Sequence, residues 1–182
     1  MLNRKRAGGD ISDVLLMQRV GTGDGDAFAE IYRRHYRKIL DFFYGMSGNA
    51  TMAEDLCQET YLRLWRLRER YEPVGSFLGY LFAIARFIWM ERRTEVYRQS
   101  AGVRDDHEPP EPASGPGGRP DELASRSETA TCIARAVSNL PEDQRMAFVL
   151  RAVQGLSLEE IAHAMDCPVN TVRSRRLLAV KK

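Results

Sequence analysis

What this sequence lacks narrows its function before anything it contains. It has three cysteines and three histidines, and none sits in a spacing that holds a metal or forms a redox pair. Cys57, Cys132 and Cys167 are far apart, and His35, His107 and His163 have no ligand pattern around them. Cys57 and Cys132 fall at apolar-stripe positions and are expected as buried thiols. Neither a Gly-rich loop ending in Gly-Lys nor a nucleophile elbow occurs. Asp55 and Glu59 share a helical turn, but no second acidic pair joins them, so they read as surface acids. No enzyme activity, cofactor or metal is therefore expected. Apolar runs never approach the ~20 residues that cross a bilayer. Leu2 to Asp13 carries Asn, Lys, Arg, Gly and Asp where a secretory signal has its apolar core. The expectation is a cytoplasmic protein with no membrane insertion. Strand-like alternation is missing too, which points to an all-α fold.

Acid is absent from the last ten residues, which carry Arg173, Arg175, Arg176, Lys181 and Lys182. The net charge of +2 conceals this, because residues 104–128 are rich in Asp and Glu. A local positive end matters more to a polyanion than the overall sum. Composition breaks once. Ser100 to Ser127 holds Pro109, Pro110, Pro112, Pro116 and Pro120 beside four glycines, and without an apolar face it reads as a flexible linker. The domains expected are residues 11–99, a linker at 100–127, and residues 128–182.

Before the linker the pattern is helical. Ile11 to Val20 is short and apolar. Ala27 to Tyr44 repeats Phe28, Ile31, Tyr32, Tyr36, Ile39, Leu40 and Phe43 at the helix period. Met52 to Arg68 turns Ala53, Leu56, Thr60, Leu64 and Leu67 inward. Phe77 to Tyr97 buries Phe77, Tyr80, Leu81, Ile84 and Ile88. The third of these helices has a second face with Gln58, Leu62 and Trp65 beside Asp55 and Glu59. Periodicity leaves two readings open there, a partner-binding surface or a wide core stripe.

After the linker, helices are expected at about Glu128–Asn139, Glu142–Gln154 and Leu158–Met165, followed by a terminal one starting near Val169 or Asn170. Ser157 and Glu160 form a capping box. Asp166-Cys167-Pro168 makes the turn, and Val172 points inward. Two short helices, a tight turn and an Arg-studded helix form a helix-turn-helix arrangement suited to the major groove. Arg173 and Arg176 share a face for base edges, Asn170 and Thr171 stand at the helix start, and Arg175, Lys181 and Lys182 suit phosphates.

These residues resemble an extracytoplasmic-function (ECF) sigma factor, the compact branch of the bacterial sigma-70 family. The resemblance covers both modules. Asp55-Leu56-Cys57-Gln58-Glu59-Thr60-Tyr61-Leu62-Arg63-Leu64-Trp65 is similar to the family's polymerase-binding segment. It implies that Asp55, Gln58, Glu59, Leu62 and Trp65 meet the clamp helices of the largest subunit of RNA polymerase core. The loop from Arg68 through Tyr71 to Ser76 corresponds to the segment that captures a flipped −10 base. Phe77 to Arg86 resembles the promoter-melting helix, implying −10 contacts from Tyr80, Arg86, Phe87, Arg92 and Arg93. Phe87 departs from the family's usual Asn. In the last module, Leu140-Pro141, Gly155-Leu156-Ser157, Glu160-Ile161-Ala162 and Thr171-Val172-Arg173-Ser174-Arg175 follow the family. This implies −35 recognition by Asn170, Thr171, Arg173, Ser174, Arg175 and Arg176. Arg176 stands where Leu is frequent. The implied partners are RNA polymerase core (clamp helices, and the flap of the second-largest subunit), promoter DNA and an anti-sigma factor. The competing reading is a helix-turn-helix regulator that binds DNA without polymerase. A cysteine-based redox sensor is a weaker third.

Overall fold

Local caps decide where the first helices begin. The Ser12 hydroxyl accepts from the Leu15 N–H and starts α1 (Asp13–Gly21). Asp24 starts α2 (Gly25–Ser47), accepting from the N–H groups of Asp26 and Ala27, both at 3.0 Å, and pairing with Arg19 at 2.7 Å. Gly48, at φ 66°, makes the left-handed turn that ends α2. Asn49 then accepts from the Met52 N–H to open α3 (Ala50–Arg66). A 3-10 turn (Arg68–Arg70) and a loop lead to α4 (Phe77–Ala101), where Ser76 Oγ accepts from the Gly79 N–H at 3.0 Å. The structure, a computed structural model, describes residues 12–101, 137 and 139–180. The expected linker from residue 102 onward, most of the expected helix Glu128–Asn139, and Cys132, Lys181 and Lys182 lie outside the described residues. α4 runs past Tyr97, because neither Gly nor Pro interrupts the chain before Gly102.

In the second module Pro141 leads into α5 (Glu142–Phe148). The helix then widens into a π turn (Val149–Val153), so the single helix expected to Gln154 changes its hydrogen-bond register midway. Gln154 N–H reaches back to the Val149 carbonyl at 3.1 Å. Gly155, at φ 72°, frees the chain to turn. The capping box forms as the sequence implies. Ser157 Oγ accepts from the Glu160 N–H at 3.1 Å, and the Glu160 carboxylate accepts from the Ser157 N–H at 2.8 Å. α6 (Leu158–Met165) follows, then Asp166 in the left-handed region, then α7 (Val169–Val180) with Val172 fully buried. The fold is all-α: two helical modules joined through a linker region.

α2 is the hub of the first module. Ile31, Ile39, Phe42, Phe43 and Met46 on α2 are buried with Leu56, Cys57 and Leu64 from α3 and Leu81, Phe82 and Ile88 from α4. Phe42 packs edge-on against Phe82, with ring centroids 5.5 Å apart. Between α2 and α3 runs an aromatic seam: Phe28 on Trp65 at 5.1 Å, and Tyr32 on Tyr61 at 4.7 Å. Tyr32, expected inward, lies at the open end of that seam and is 39% exposed. Cys57 is buried as expected, and its burial pushes the thiol up to about 12. Buried residues of both modules, from Leu16 to Val172, form one continuous apolar cluster.

His35, absent from the expected core stripe, is 5% exposed. Its Nε2 lies 2.9 Å from Asp13 Oδ2, and its Nδ1 is buried without a partner. As a neutral ring it donates from Nε2 to Asp13. A second proton on Nδ1 would be a buried donor with no acceptor. Burial, with lesser repulsion from Lys38 and Arg34, holds the imidazole below its ordinary value against the opposing pull of Asp13. A lowered folded-state value means that stability is complete above the unfolded value of about 6.5 and is lost as pH falls through the folded one. Urea midpoints should therefore drop on acidification through that window, and His35→Gln should flatten this component of the drop. Ser157→Ala removes one half of the capping box and should cost about 1 kcal/mol in the same assay, with the fold retained.

Candidate nucleic-acid and partner interfaces

α3 presents a polar face interrupted by one apolar side chain. Asp55 and Gln58 are exposed, and Leu62 among them is 52% exposed. Glu59 is half-buried and reaches Arg63 at 3.6 Å and Arg66 at 3.8 Å. Trp65 combines the two readings that periodicity left open. One edge packs on Phe28 in the seam, while the Arg68 guanidinium lies over its ring at 4.7 Å. Arg68 also donates to the Trp65 carbonyl at 2.9 Å. The indole is thus fixed in place with part of its surface open.

The loop after α3 has an aromatic base. Tyr71 packs against Tyr80 at 5.0 Å and against Phe77 at 6.2 Å. Burial raises both phenols above their ordinary value, so they remain neutral. Ser76 is engaged internally, since its side chain caps α4.

Between α3 and α4 runs a groove that includes Asp55, Glu59, Arg63, Phe87, Met90 and Arg92. Phe87 is 54% exposed, with the Arg63 guanidinium 5.3 Å above its ring. Arg63 also donates to Glu91 at 2.6 Å. It thereby connects the α3 face to the residues expected to read DNA, a link the sequence reading missed. Arg92 pairs with Glu95 at 3.1 Å. Arg86 is half-buried.

The other side of α4 is covered by the second module. Trp89, 4% exposed, donates from Nε1 to Glu142 at 2.5 Å, and Arg93 stands 3.6 Å from the same carboxylate. Trp89, Glu142 and Arg145 were not expected at any site. A usable signal did exist for Trp89: α4 is apolar nearly all round over its first three turns, which marks a helix covered on two sides.

On α7 the expected residues divide. Asn170, Arg173 and Ser174 are exposed on one face, and Ser174 donates to the Asn170 carbonyl at 3.0 Å. Thr171 and Arg176 are half-buried. Arg175 points away from that face, pairing with Asp143 of α5 at 2.5 Å and lying 3.5 Å from Cys167 Sγ. Among the described residues no group of three or more His, Cys, Asp or Glu is placed to hold a metal ion, and no helix is long and apolar enough to cross a membrane.

Comparison with known proteins returns a consistent set. The family model for sigma-70 region 2 matches residues 31–95, and that for sigma-70 region 4 matches residues 130–182. The ECF RNA polymerase sigma factor SigE of Mycolicibacterium smegmatis is 36% identical over 159 residues, which are 85% of this chain and 60% of that longer protein. The ECF RNA polymerase sigma-E factor of Escherichia coli K12 is 31% identical over 172 residues, 91% of this chain and 88% of that one. Among solved structures, CnrH in complex with the cytosolic domain of CnrY shares the fold, with a TM-score of 0.69 over 94% of both chains at 22% identity. The sigma factor RpoE of Bartonella quintana, solved with the anti-sigma factor NepR, gives a TM-score of 0.60 at 25% identity, covering 85% of this chain and 92% of that one.

Proposed function

The chain belongs to the ECF sigma factors of the sigma-70 family and directs RNA polymerase core to promoters, and on that premise we propose how its residues divide the task. The α3 face of Asp55, Gln58, Glu59, Leu62 and Trp65 docks on the clamp helices of the largest polymerase subunit. Leu62 supplies apolar contact, and the fixed indole of Trp65 adds area at little entropic cost. The second module additionally meets the flap of the second-largest subunit. Arg68, Tyr71 and Ser76 of the loop and Tyr80, Arg86, Phe87, Arg92 and Arg93 of α4 form the −10 interface. Phe87, open and aromatic, offers a stacking platform for a displaced base. Capture of unstacked bases offsets the cost of opening the duplex, and bond formation remains the polymerase's chemistry.

Asn170, Arg173 and Ser174 read −35 base edges from α7, with Thr171 and Arg176 at the margin of that face. Arg175 acts indirectly, setting α7 against α5 through Asp143. The observation that carries this reading is the presence, on one chain, of an open Arg-bearing helix-turn-helix face and of the exposed Leu62 patch on α3. An independent DNA-binding regulator has no use for the second. An anti-sigma factor belongs among the partners. The Bartonella RpoE, of similar fold, is solved with one, and a partner able to cover the same faces would silence both DNA interfaces.

The test is run-off transcription on a promoter library, with purified core polymerase alone or with this protein. Start-specific transcripts should require the protein, and Leu62→Asp should abolish them while leaving duplex binding intact. Retention of a palindromic site by the protein alone, with no transcript from any promoter, would establish the independent regulator instead. Arg173→Ala should cost about 1–3 kcal/mol at its cognate promoter and relax preference at one −35 position. Arg175→Ala should weaken all promoters alike.

A further inference from the structure

α1 carries no residue of the interfaces assigned above, yet it supports the loop after α3 at both of that loop's ends. Where the loop begins, the end of α1 packs against the 3-10 turn, and a Cβ on Gly21 would lie 3.4 Å from the Arg68 carbonyl oxygen. Where the loop returns to α4, the start of α1 acts through a buried ring. The Asp13 carboxylate divides between two residues of α2: Oδ1 lies 3.1 Å from Arg34 Nη1, and Oδ2 lies 2.9 Å from His35 Nε2. His35 packs in turn against the buried Phe77, with ring centroids 5.5 Å apart. Phe77 is the ring on which Tyr71 of the loop rests edge-on at 6.2 Å. Asp13 is close enough to Tyr71 to add to the upward push that burial, and then Tyr80, exert on its phenol. Stability alone does not call for a histidine here. Its Nδ1 is buried without a partner, a cost that an apolar side chain of like size would avoid. What the histidine adds is a ring whose plane is fixed by donation from Nε2 to Asp13.

We propose that Asp13, His35 and Gly21 are positioning residues for the −10 loop, so that α1 sets how firmly one −10 base is held although none of the three touches DNA. This rests on the −10 role of the loop argued above. Capture of an unstacked base requires Tyr71 and its neighbours in one arrangement before the base arrives. A loop that visits several arrangements binds with an affinity reduced by the fraction in the competent one. Tyr71 leans on Phe77 and Tyr80 of α4, the Phe77 ring is backed by His35, and the His35 ring is held by Asp13. Three successive contacts therefore join the loop to the first residue of α1. Gly21 completes the seat at the other end, because a larger side chain there would push the Arg68 carbonyl away. Specificity at one promoter position is thus tuned from a helix outside the reading surface.

The test uses holoenzyme assembled from core polymerase and the full chain. It is titrated by anisotropy against fluorescein-labelled single-stranded −10 oligonucleotides in which each base in turn is replaced by an abasic site. In the natural protein, loss of the captured base should weaken binding about tenfold, and Tyr71→Ala should erase that penalty. Asp13→Ala should shrink the penalty at that position to about twofold and leave those at the other positions as they were. Asp13→Asn should keep most of it, because the amide oxygen still accepts from His35 although the charge that pairs with Arg34 is gone. Gly21→Leu should reproduce the Asp13→Ala result from the other end of the loop, and it decides alone if Asp13→Ala does not fold. Urea midpoints are measured alongside. A uniform fall in binding at all positions with a lowered midpoint means a merely structural role and overturns the proposal. Unchanged penalties in both Asp13→Ala and Gly21→Leu, while Tyr71→Ala still erases one, overturn it too and leave the loop reading intact. If Tyr71→Ala alters no penalty, the −10 reading of the loop fails and this inference falls with it.

Discussion

Phe42 packed edge-on against Phe82 secures α4 to α2, and the surfaces around Tyr71, Phe87 and Trp89 all depend on where α4 lies. Its first turn carries Phe77 and Tyr80, on which Tyr71 and the loop after α3 rest. Its middle presents Phe87 to the groove beside α3, under Arg63. Its opposite side receives the second module. A loss of packing in this core would shift all three surfaces together. For that reason the buried aromatics and the exposed ones belong to one mechanical unit.

Arginine does two different jobs here, and location decides which. Arg34, Arg63, Arg145 and Arg175 are spent on structure, tying helices together through carboxylates and carbonyls. On α7's open face Arg173 is exposed and reaches only Asn170 Oδ1, at 3.5 Å. Surface ion pairs of this kind contribute little individually. Their value is in orientation, because each paired guanidinium fixes a neighbour: Phe87 beneath Arg63, Trp65 beneath Arg68, and α7 on α5 through Arg175.

The parts of the fold that could be read from sequence are those with local causes. Ser157 with Glu160 at α6 and the Asp166-Cys167-Pro168 turn before α7 are signals within a few residues of what they control. The second face of α3 was half legible: Leu62 breaks a polar surface and is exposed, while Trp65 belongs both to that face and to the seam. What escaped depends on contacts between distant residues. Trp89 meets Glu142 across 53 positions and Arg145 meets the Met46 carbonyl across 99; no window of local periodicity contains either pair. The π turn after Phe148 escaped because a count at 3.6 residues per turn assumes an unbroken α-helix. Arg175 was assigned to phosphate by its neighbourhood in sequence, whereas the turn of α7 sends it toward Asp143.

The continuous apolar cluster that runs through both modules bears on what counts as a domain in this protein. A chain whose modules share one core melts as a single cooperative unit, and each half borrows stability from the other. Once parted, each half must stand on a core of its own, and small cores bury a smaller fraction of their surface. The number of folding units is thus a property of the functional state. As described, the two modules are one body, and parting them would leave each half more exposed to proteolysis and more dependent on a partner to remain folded.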